Sequence, residues 1–310
     1  MERISRRGFS LAASASLLSA AAGGMPKRRL GRIDFEASIL GFGSQPLGEP
    51  NVDPSLMDRV VGEAIDAGVN YFDTAGSYEL SQERLGRALK GKRQKVFLVS
   101  KTEYTAASDV LFQVRDALRK LQTDYLDCVH IHNLGRDDRY PNLELALGKN
   151  GALGGLLEAK KQGMIRHVGC TTHMRIARVL PAFETGEIEL FMGVFNFVDR
   201  FVYTTFEEQI LPEARKRNIG VVAMKALGGE TAPNQARLGH PDYYRPALRY
   251  TWSLPGISVI NLGMRSVEHL RAAVNEARSF EPLTPAEVSA LEERGRTLAA
   301  RWGPTRGPVA

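Results

Sequence analysis

The sequence predicts an α/β protein of the (β/α)8 TIM-barrel class, with an N-terminal β-hairpin and an extra C-terminal helix. Three observations carry that reading. Short apolar runs alternate with helical patterns eight times from Ile39 onward, as expected of parallel strands with helices between them. No GxGxxG lies between the first strand and its helix, which argues against the alternative, an open doubly wound sheet that a one-strand miscount would favour. Polar residues close the second, third and fourth strands, and in a barrel that end of the strands carries the active site.

Residues 28–38 read as a hairpin closing the barrel bottom, and residues 39–43 as the first strand. A helix follows from Asp53, with Pro54 in its first position and Gly68 as its stop. The second strand, 69–73, ends at Asp73. Ser81 is expected to cap the next helix, which carries Arg84, Leu85, Ala88 and Leu89 and stops at Gly91. The third strand, 96–101, ends at Lys101. Val110, Leu111, Val114, Leu118 and Leu121 put an apolar stripe on a helix over 108–121. The fourth strand, 127–132, ends at His132. A helix over 153–161 stops at Gly163 and leads to the fifth strand, 167–170. A helix over 175–183 precedes the sixth strand, 190–196, and one over 206–217 precedes the seventh, 220–224. A long connection then reaches a helix around 243–253, the eighth strand at 259–262 and a helix over 266–278. Residues 285–301 form a last helix outside the repeat, and the tail after Trp302 reads as loose. No Pro-rich linker divides residues 25–310, so they read as one domain.

The chain has 310 residues and a formal net charge of +6. A barrel of roughly 250 residues is common as one unit. Arg3, Arg6 and Arg7 against Glu2 give residues 1–24 a charge of +2, leaving +4 for the rest. That excess is too mild to argue for nucleic acid. Cys128 and Cys170 lie in strand-like segments without CxxC or Cys/His spacing and read as buried small hydrophobes. Residues 1–24 are set apart as a targeting segment. Ser5-Arg6-Arg7-Gly8-Phe9-Ser10 precedes a weak apolar stretch, and Ala20-Ala21-Ala22 offers a cleavage region. The stretch is too short and polar for a membrane span. It resembles a twin-arginine export signal, which implies the export machinery as a partner and a periplasmic location. A frayed basic tail on a cytoplasmic protein is the alternative.

Alternation along the strands puts Tyr71 with Asp73, Val99 with Lys101, and His130 with His132. Asp73, Lys101 and His132 thus converge from successive strands, with Tyr78 in the loop above. Singly, each has an ordinary structural reading as turn residue, ion-pair partner or loop aromatic. Together they form a proton-handling set. A phenol with a reference pKa of about 10 is a poor acid without help. An ammonium at Lys101 would favour proton loss from Tyr78, and Asp73 would keep that ammonium charged. His132 would donate a hydrogen bond to a substrate carbonyl. Hydride must come from a cofactor.

The segment from Asp73 to Tyr78, with Ser81 and Leu85-Gly86-Arg87-Ala88-Leu89, resembles the signature of the aldo-keto reductase family around its catalytic Asp and Tyr. Val99-Ser100-Lys101-Thr102 resembles the catalytic-lysine strand, and Asp124 to His132 the segment ending in the catalytic His. Gly163-Met164-Ile165-Arg166-His167-Val168-Gly169 resembles the approach to the fifth strand. The match runs from about Arg29 to Ala277. It implies the barrel, and reduction of a small aldehyde or ketone with NAD(P)H and no metal. It assigns catalytic roles to Asp73, Tyr78, Lys101 and His132. For the cofactor it implies Gly43 and Ser44 on the first strand, and Thr171 and Thr172 where a Ser-Asn pair binds the carboxamide. Met192 stands where Gln is common, and Met224 where an aromatic stacks on the nicotinamide. Lys225 and Leu227 lie in the loop that wraps the pyrophosphate. Gly263, Arg265 and His269 belong to the adenosine end, where Arg265 and His269 favour NADP over NAD.

Two other functions fit parts of the pattern. His130 and His132 on one strand face, with His173 as a third ligand, would suit a metal-dependent barrel hydrolase. A non-catalytic nicotinamide-binding sensor or subunit would keep the cofactor loops alone. Substrate choice is expected in the loops 133–150 and 229–243. Phe201, Tyr203 and Trp252 are candidates either to line the pocket or to pack.

Overall fold

The structure, a computed structural model, describes residues 24–229 and 237–309. The twin-arginine segment, apart from Gly24, and positions 230–236 of the second substrate loop lie outside the described residues.

A hairpin of β1 (Lys27–Leu30) and β2 (Ile33–Ser38) leads into eight parallel strands that close in the order β10-β3-β4-β5-β6-β7-β8-β9. They are β3 (Leu40–Gly43), β4 (Tyr71–Asp73), β5 (Phe97–Thr102), β6 (Leu126–Ile131), β7 (Ile165–Thr171), β8 (Leu190–Val194), β9 (Gly220–Met224) and β10 (Ile257–Gly263). Among the described residues the helices are α1 (Gln45–Gly48), α2 (Pro54–Asp66), α3 (Ser81–Ala88), α4 (Ala107–Leu121), α5 (Leu143–Leu147), α6 (Ala152–Lys161), α7 (Val179–Glu184), α8 (Leu211–Lys216), α9 (Pro241–Ser253), α10 (Val267–Arg278) and α11 (Pro285–Trp302). This is the (β/α)8 architecture expected from the alternation. Strands β3 to β6 are buried along their whole length, because helices or barrel interior cover both faces. The register sets Gly43 beside Asp73 and Gly263, and Lys101 beside His130. One row of strand ends therefore carries the chemistry.

The hairpin plugs the bottom. Arg28 donates to the carbonyls of Trp252 and Ile257 at 2.9 and 2.7 Å, and Arg32 to those of Gly186 and Ile188 at 2.8 and 2.9 Å. Its tight turn has Gly31 at φ 56°, where an added Cβ would stand 2.3 Å from the Gly220 nitrogen.

Local details differ from the sequence expectation. Asp53 does cap α2, accepting from Ser55 N. Ser81 does not cap α3. The cap position is Leu80, and Ser81 Oγ instead joins Ser44 Oγ and Thr74 Oγ1 at 2.7 and 2.9 Å, tying three segments at the barrel top. The helix expected over 206–217 opens with a π turn, Phe206–Ile210, before α8, with Pro212 just inside α8. The tail is not loose. Arg306 is buried against Asp199 at 3.0 Å, Tyr203 Oη donates to Gly307 O at 2.9 Å, and Arg175 N donates to Pro308 O at 3.0 Å. A Gly/Pro composition reads as loose, but one buried ion pair anchors it. Tyr203 and Trp252 pack: the Trp252 indole donates to Ile39 O at 2.9 Å beneath the barrel, and Phe201 lies against Gly295 of α11.

Candidate active site

Lys101 is the centre of the site. It lies on β5, one residue before the strand end, and its ammonium is almost wholly buried. Its three protons reach Asp73 Oδ1 and Oδ2 at 2.8 and 2.7 Å and Thr74 O at 2.8 Å. A lone buried cation would be costly, and this threefold pairing makes it tolerable. The Tyr78 ring centroid is 4.6 Å from the nitrogen. His132, the first residue beyond β6, meets the Tyr78 ring edge-on with centroids 6.2 Å apart. Tyr78 and His132 remain half-buried, whereas Asp73 and Lys101 are buried. The structure therefore brings all four expected groups together at one barrel mouth.

The electrostatics correct one expectation. Burial pushes the Tyr78 phenol above its ordinary value, and the Lys101 charge only partly opposes it. Tyr78 is thus a protonated donor at working pH rather than a phenol already made acidic. Burial pushes Lys101 down, but Asp73 and Tyr78 outweigh it and the ammonium ends above its usual range. Burial pushes His132 down despite a carboxylate partner, so its imidazole is neutral at pH above the ordinary histidine range.

That partner, Glu103, was missed in the sequence. Its Oε1 lies 2.6 Å from His132 Nδ1 and accepts from Ser77 Oγ at 2.7 Å, while Oε2 faces Arg139 at 3.4 Å. The signal was available: Glu103 follows Lys101 by two residues and shares its parity.

The expected cofactor positions fall into two groups. Gly43 and Gly263 end adjacent strands, and an added Cβ at Gly43 would stand 2.8 Å from Leu262 O. Arg265 is exposed between Gly263 and α10, 3.9 Å from Glu49, and Ser266 caps α10 by accepting from His269 N. Bare strand ends beside a helix N-terminus and a guanidinium fit a dinucleotide. Met192 and Met224 are buried on β8 and β9, and Leu227 is half-buried beyond β9. Lys225 takes a left-handed φ of 57°, and its carbonyl accepts from Asn196 Nδ2 and Gly228 N at 3.0 and 2.9 Å, which shapes that loop. The hydroxyls of the second group serve the chain itself. Ser44 Oγ donates to Asp73 O at 2.7 Å, Thr171 Oγ1 accepts from Asn133 N at 2.8 Å, and Thr172 Oγ1 donates to Met174 O at 2.7 Å.

The histidines do not form the ligand set of a hydrolase. His132 is engaged with Glu103. His130 is buried inside the barrel, and a Cβ at Gly169 would stand 2.3 Å from its Nδ1. Among the described residues no three His, Cys, Asp or Glu side chains gather as a metal site. Cys128 and Cys170 are free and buried, and burial pushes both thiols up.

Comparison with known proteins follows the same lines. An uncharacterized oxidoreductase, YqkF, of Bacillus subtilis (strain 168) is 26% identical over 313 residues, covering 86% of this chain and 96% of its own. L-galactose dehydrogenase of Arabidopsis thaliana is 24% identical over 318 residues, covering 87% and 95%. The holo form of an aldo-keto reductase from Bacillus halodurans superposes with a TM-score of 0.71 at 25% identity, covering 86% of this chain and 95% of that one. Residues 39–244 match the model of the Aldo/keto reductase family. With Asp73, Tyr78, Lys101 and His132 assembled at the mouth of a closed barrel, and two thirds of the sequence matching that model, the chain belongs to the aldo/keto reductase family.

Proposed function

We propose that the protein interconverts a small aldehyde or ketone and its alcohol with a nicotinamide cofactor, and that Tyr78 gives the proton to the carbonyl oxygen. The observation that carries this reading is the half-buried Tyr78, its ring centroid 4.6 Å from a buried ammonium whose charge Asp73 maintains. A reduced nicotinamide, when bound, supplies the hydride that no side chain can. Tyr78 begins protonated because burial favours the neutral phenol, and Lys101 eases the departure of its proton. Substrate oxygen has two protein groups within the mouth, Tyr78 Oη and His132 Nε2. Gly43, Gly263, Arg265 and the α10 N-terminus would hold the dinucleotide, with Arg265 and His269 favouring NADPH over NADH. The Arabidopsis relative, named as a dehydrogenase, supports the same class of redox change.

Fluorescence titration with NADPH and NADH tests the cofactor assignment. Arg265→Ala is expected to weaken NADPH by roughly 5- to 10-fold, the value of about 1 kcal/mol for a partly exposed charge contact, and to leave NADH unchanged. Turnover with a panel of aldehydes, quinones and ketosteroids tests the activity, and silence across the panel with bound cofactor defeats the reading. The export signal in residues 1–24 belongs to the same proposal. Lysines at both Arg6 and Arg7 are expected to hold the protein in the cytoplasmic fraction.

A further inference from the structure

We propose that Glu103 fixes the proton of His132 on Nδ1, so that the neutral imidazole turns a bare Nε2 to the substrate oxygen and accepts the alcohol form, whereas the carbonyl form requires the imidazolium. The inference rests on the oxidoreductase reading above and makes Glu103 a positioning residue for it.

Glu103 Oε1 and His132 Nδ1 are 2.6 Å apart, so one proton lies between them. Among the described residues, the groups bonded to the carboxylate are all able to donate: Ser77 Oγ at 2.7 Å and Arg139 Nη2 at 3.4 Å, besides the imidazole. An ionised carboxylate only accepts. The His132 hydrogen bond, with Ser77 and Arg139 against the effect of burial, holds Glu103 at about 2. The shared proton therefore belongs to Nδ1. A neutral imidazole carries a single ring proton, which leaves Nε2 with a lone pair. Among the described residues Nε2 has no hydrogen-bond partner, and the His132 side chain keeps 13% of its surface exposed at the mouth.

Nε2 in that state can receive a hydroxyl proton but repels a carbonyl oxygen, which is itself only an acceptor. A carbonyl needs a second ring proton on His132. The groups that set the balance surround the ring. Lys101 from β5 and Arg139 from the loop after β6 oppose the imidazolium, and Glu103 favours it. Tyr78 meets the ring edge-on, and His130 on β6 and His173 just beyond β7 are held neutral by burial. Reduction consumes a proton and oxidation releases one. The two directions should therefore give mirrored pH profiles about one midpoint below the ordinary histidine value, reduction falling and oxidation rising with pH.

The first test is long-range proton–nitrogen NMR on the full chain labelled with nitrogen-15 histidine, with the His132 signals identified by their loss in His132→Gln. Nδ1 is expected to appear protonated and Nε2 unprotonated above the midpoint. A neutral His132 with its proton on Nε2 overturns the proposal, whether or not any turnover has been found. The second test compares kcat/KM for benzaldehyde reduction and benzyl alcohol oxidation against pH in the wild type and in Glu103→Gln. Loss of the carboxylate is expected to lower the shared midpoint by about 1 unit or more in both directions. A Glu103→Gln enzyme whose rates fall with the midpoint unmoved assigns Glu103 a packing role only and defeats the inference. Failure of the oxidoreductase reading would show separately, as absence of turnover in the wild type beside an intact tautomer signal.

Discussion

Lys101 Nζ lies 2.8 and 2.7 Å from the two carboxylate oxygens of Asp73, with both side chains only 2–3% exposed. The two residues belong to neighbouring strands, β5 and β4, so the sheet register itself places the pair. A buried ion pair of this kind is seldom a net gain in stability, but removing one partner strands the other.

Asp73→Asn is accordingly expected to destabilise the fold by about 3 kcal/mol or more, because the Lys101 charge loses its partner in a dry site. Lys101 would then deprotonate far more readily, and turnover would fall with it. Replacing both residues, as Asp73→Leu with Lys101→Met, should return most of the stability and none of the activity. Urea melts beside turnover assays separate these outcomes. Equal stability of the single and double variants would show that the charge is not stranded.

Tyr78→Phe removes the proposed proton donor and its hydrogen bond to Lys101, while the ring 4.6 Å from the ammonium is kept. Turnover should drop by roughly 10²–10⁴-fold, the usual worth of a positioned general acid. Dinucleotide affinity measured by fluorescence should stay within a factor of two, about the size of experimental scatter for an uninvolved contact. Retained activity would remove Tyr78 from the mechanism.

Glu207 offers a pH-dependent test of the scaffold away from the site. Burial raises its carboxyl to about 7, against the opposing Arg200 charge and the Tyr250 hydroxyl, which donates at 2.9 and 3.0 Å. A carboxyl raised in the folded state favours the protonated fold, so stability is full below the unfolded value and declines as pH rises to about 7. Glu207→Gln should therefore stabilise the protein by about 1–3 kcal/mol near pH 8 and have no effect near pH 4. Thermal melts at the two pH values check it, and a pH-independent change would contradict the assignment.

Arg306→Ala leaves Asp199 buried without its guanidinium. Asp199 also accepts from Asn196 Nδ2 at 2.6 Å, and Asn196 in turn holds the Lys225 carbonyl. The variant should lose about 3–5 kcal/mol and free the tail for protease cleavage after Trp302. Limited proteolysis followed by mass spectrometry reads the second effect. An intact tail in the variant would show that Tyr203 and Arg175 suffice to hold it.

Much of the fold could be read directly. Alternating apolar runs and helical stripes, with Pro54 and Gly68 bracketing α2, mark elements whose local preferences and burial agree. The same parity rule that sets Asp73 and Lys101 on one face also brought in His132, and Tyr78 followed from its place in the loop after Asp73. Reading failed where long-range contacts override local character. Ser81 looked like a cap because caps are local, yet its hydroxyl serves Ser44 and Thr74 across the barrel top. The residues after Trp302 looked mobile because Gly and Pro dominate them, yet Arg306 finds a buried partner 107 positions away.

The amino-acid sequence by itself determined the barrel, its hairpin and the convergence of Asp73, Lys101 and His132 on one end of it, since periodicity and strand parity are properties of neighbouring residues. Only the tertiary structure decided how those groups are charged and which way their hydrogen bonds run. Burial keeps the Tyr78 proton in place, and Glu103 decides which nitrogen of His132 faces the substrate bare. Both effects arise from desolvation and from partners brought together by folding, and neither is encoded in the spacing of residues along a chain.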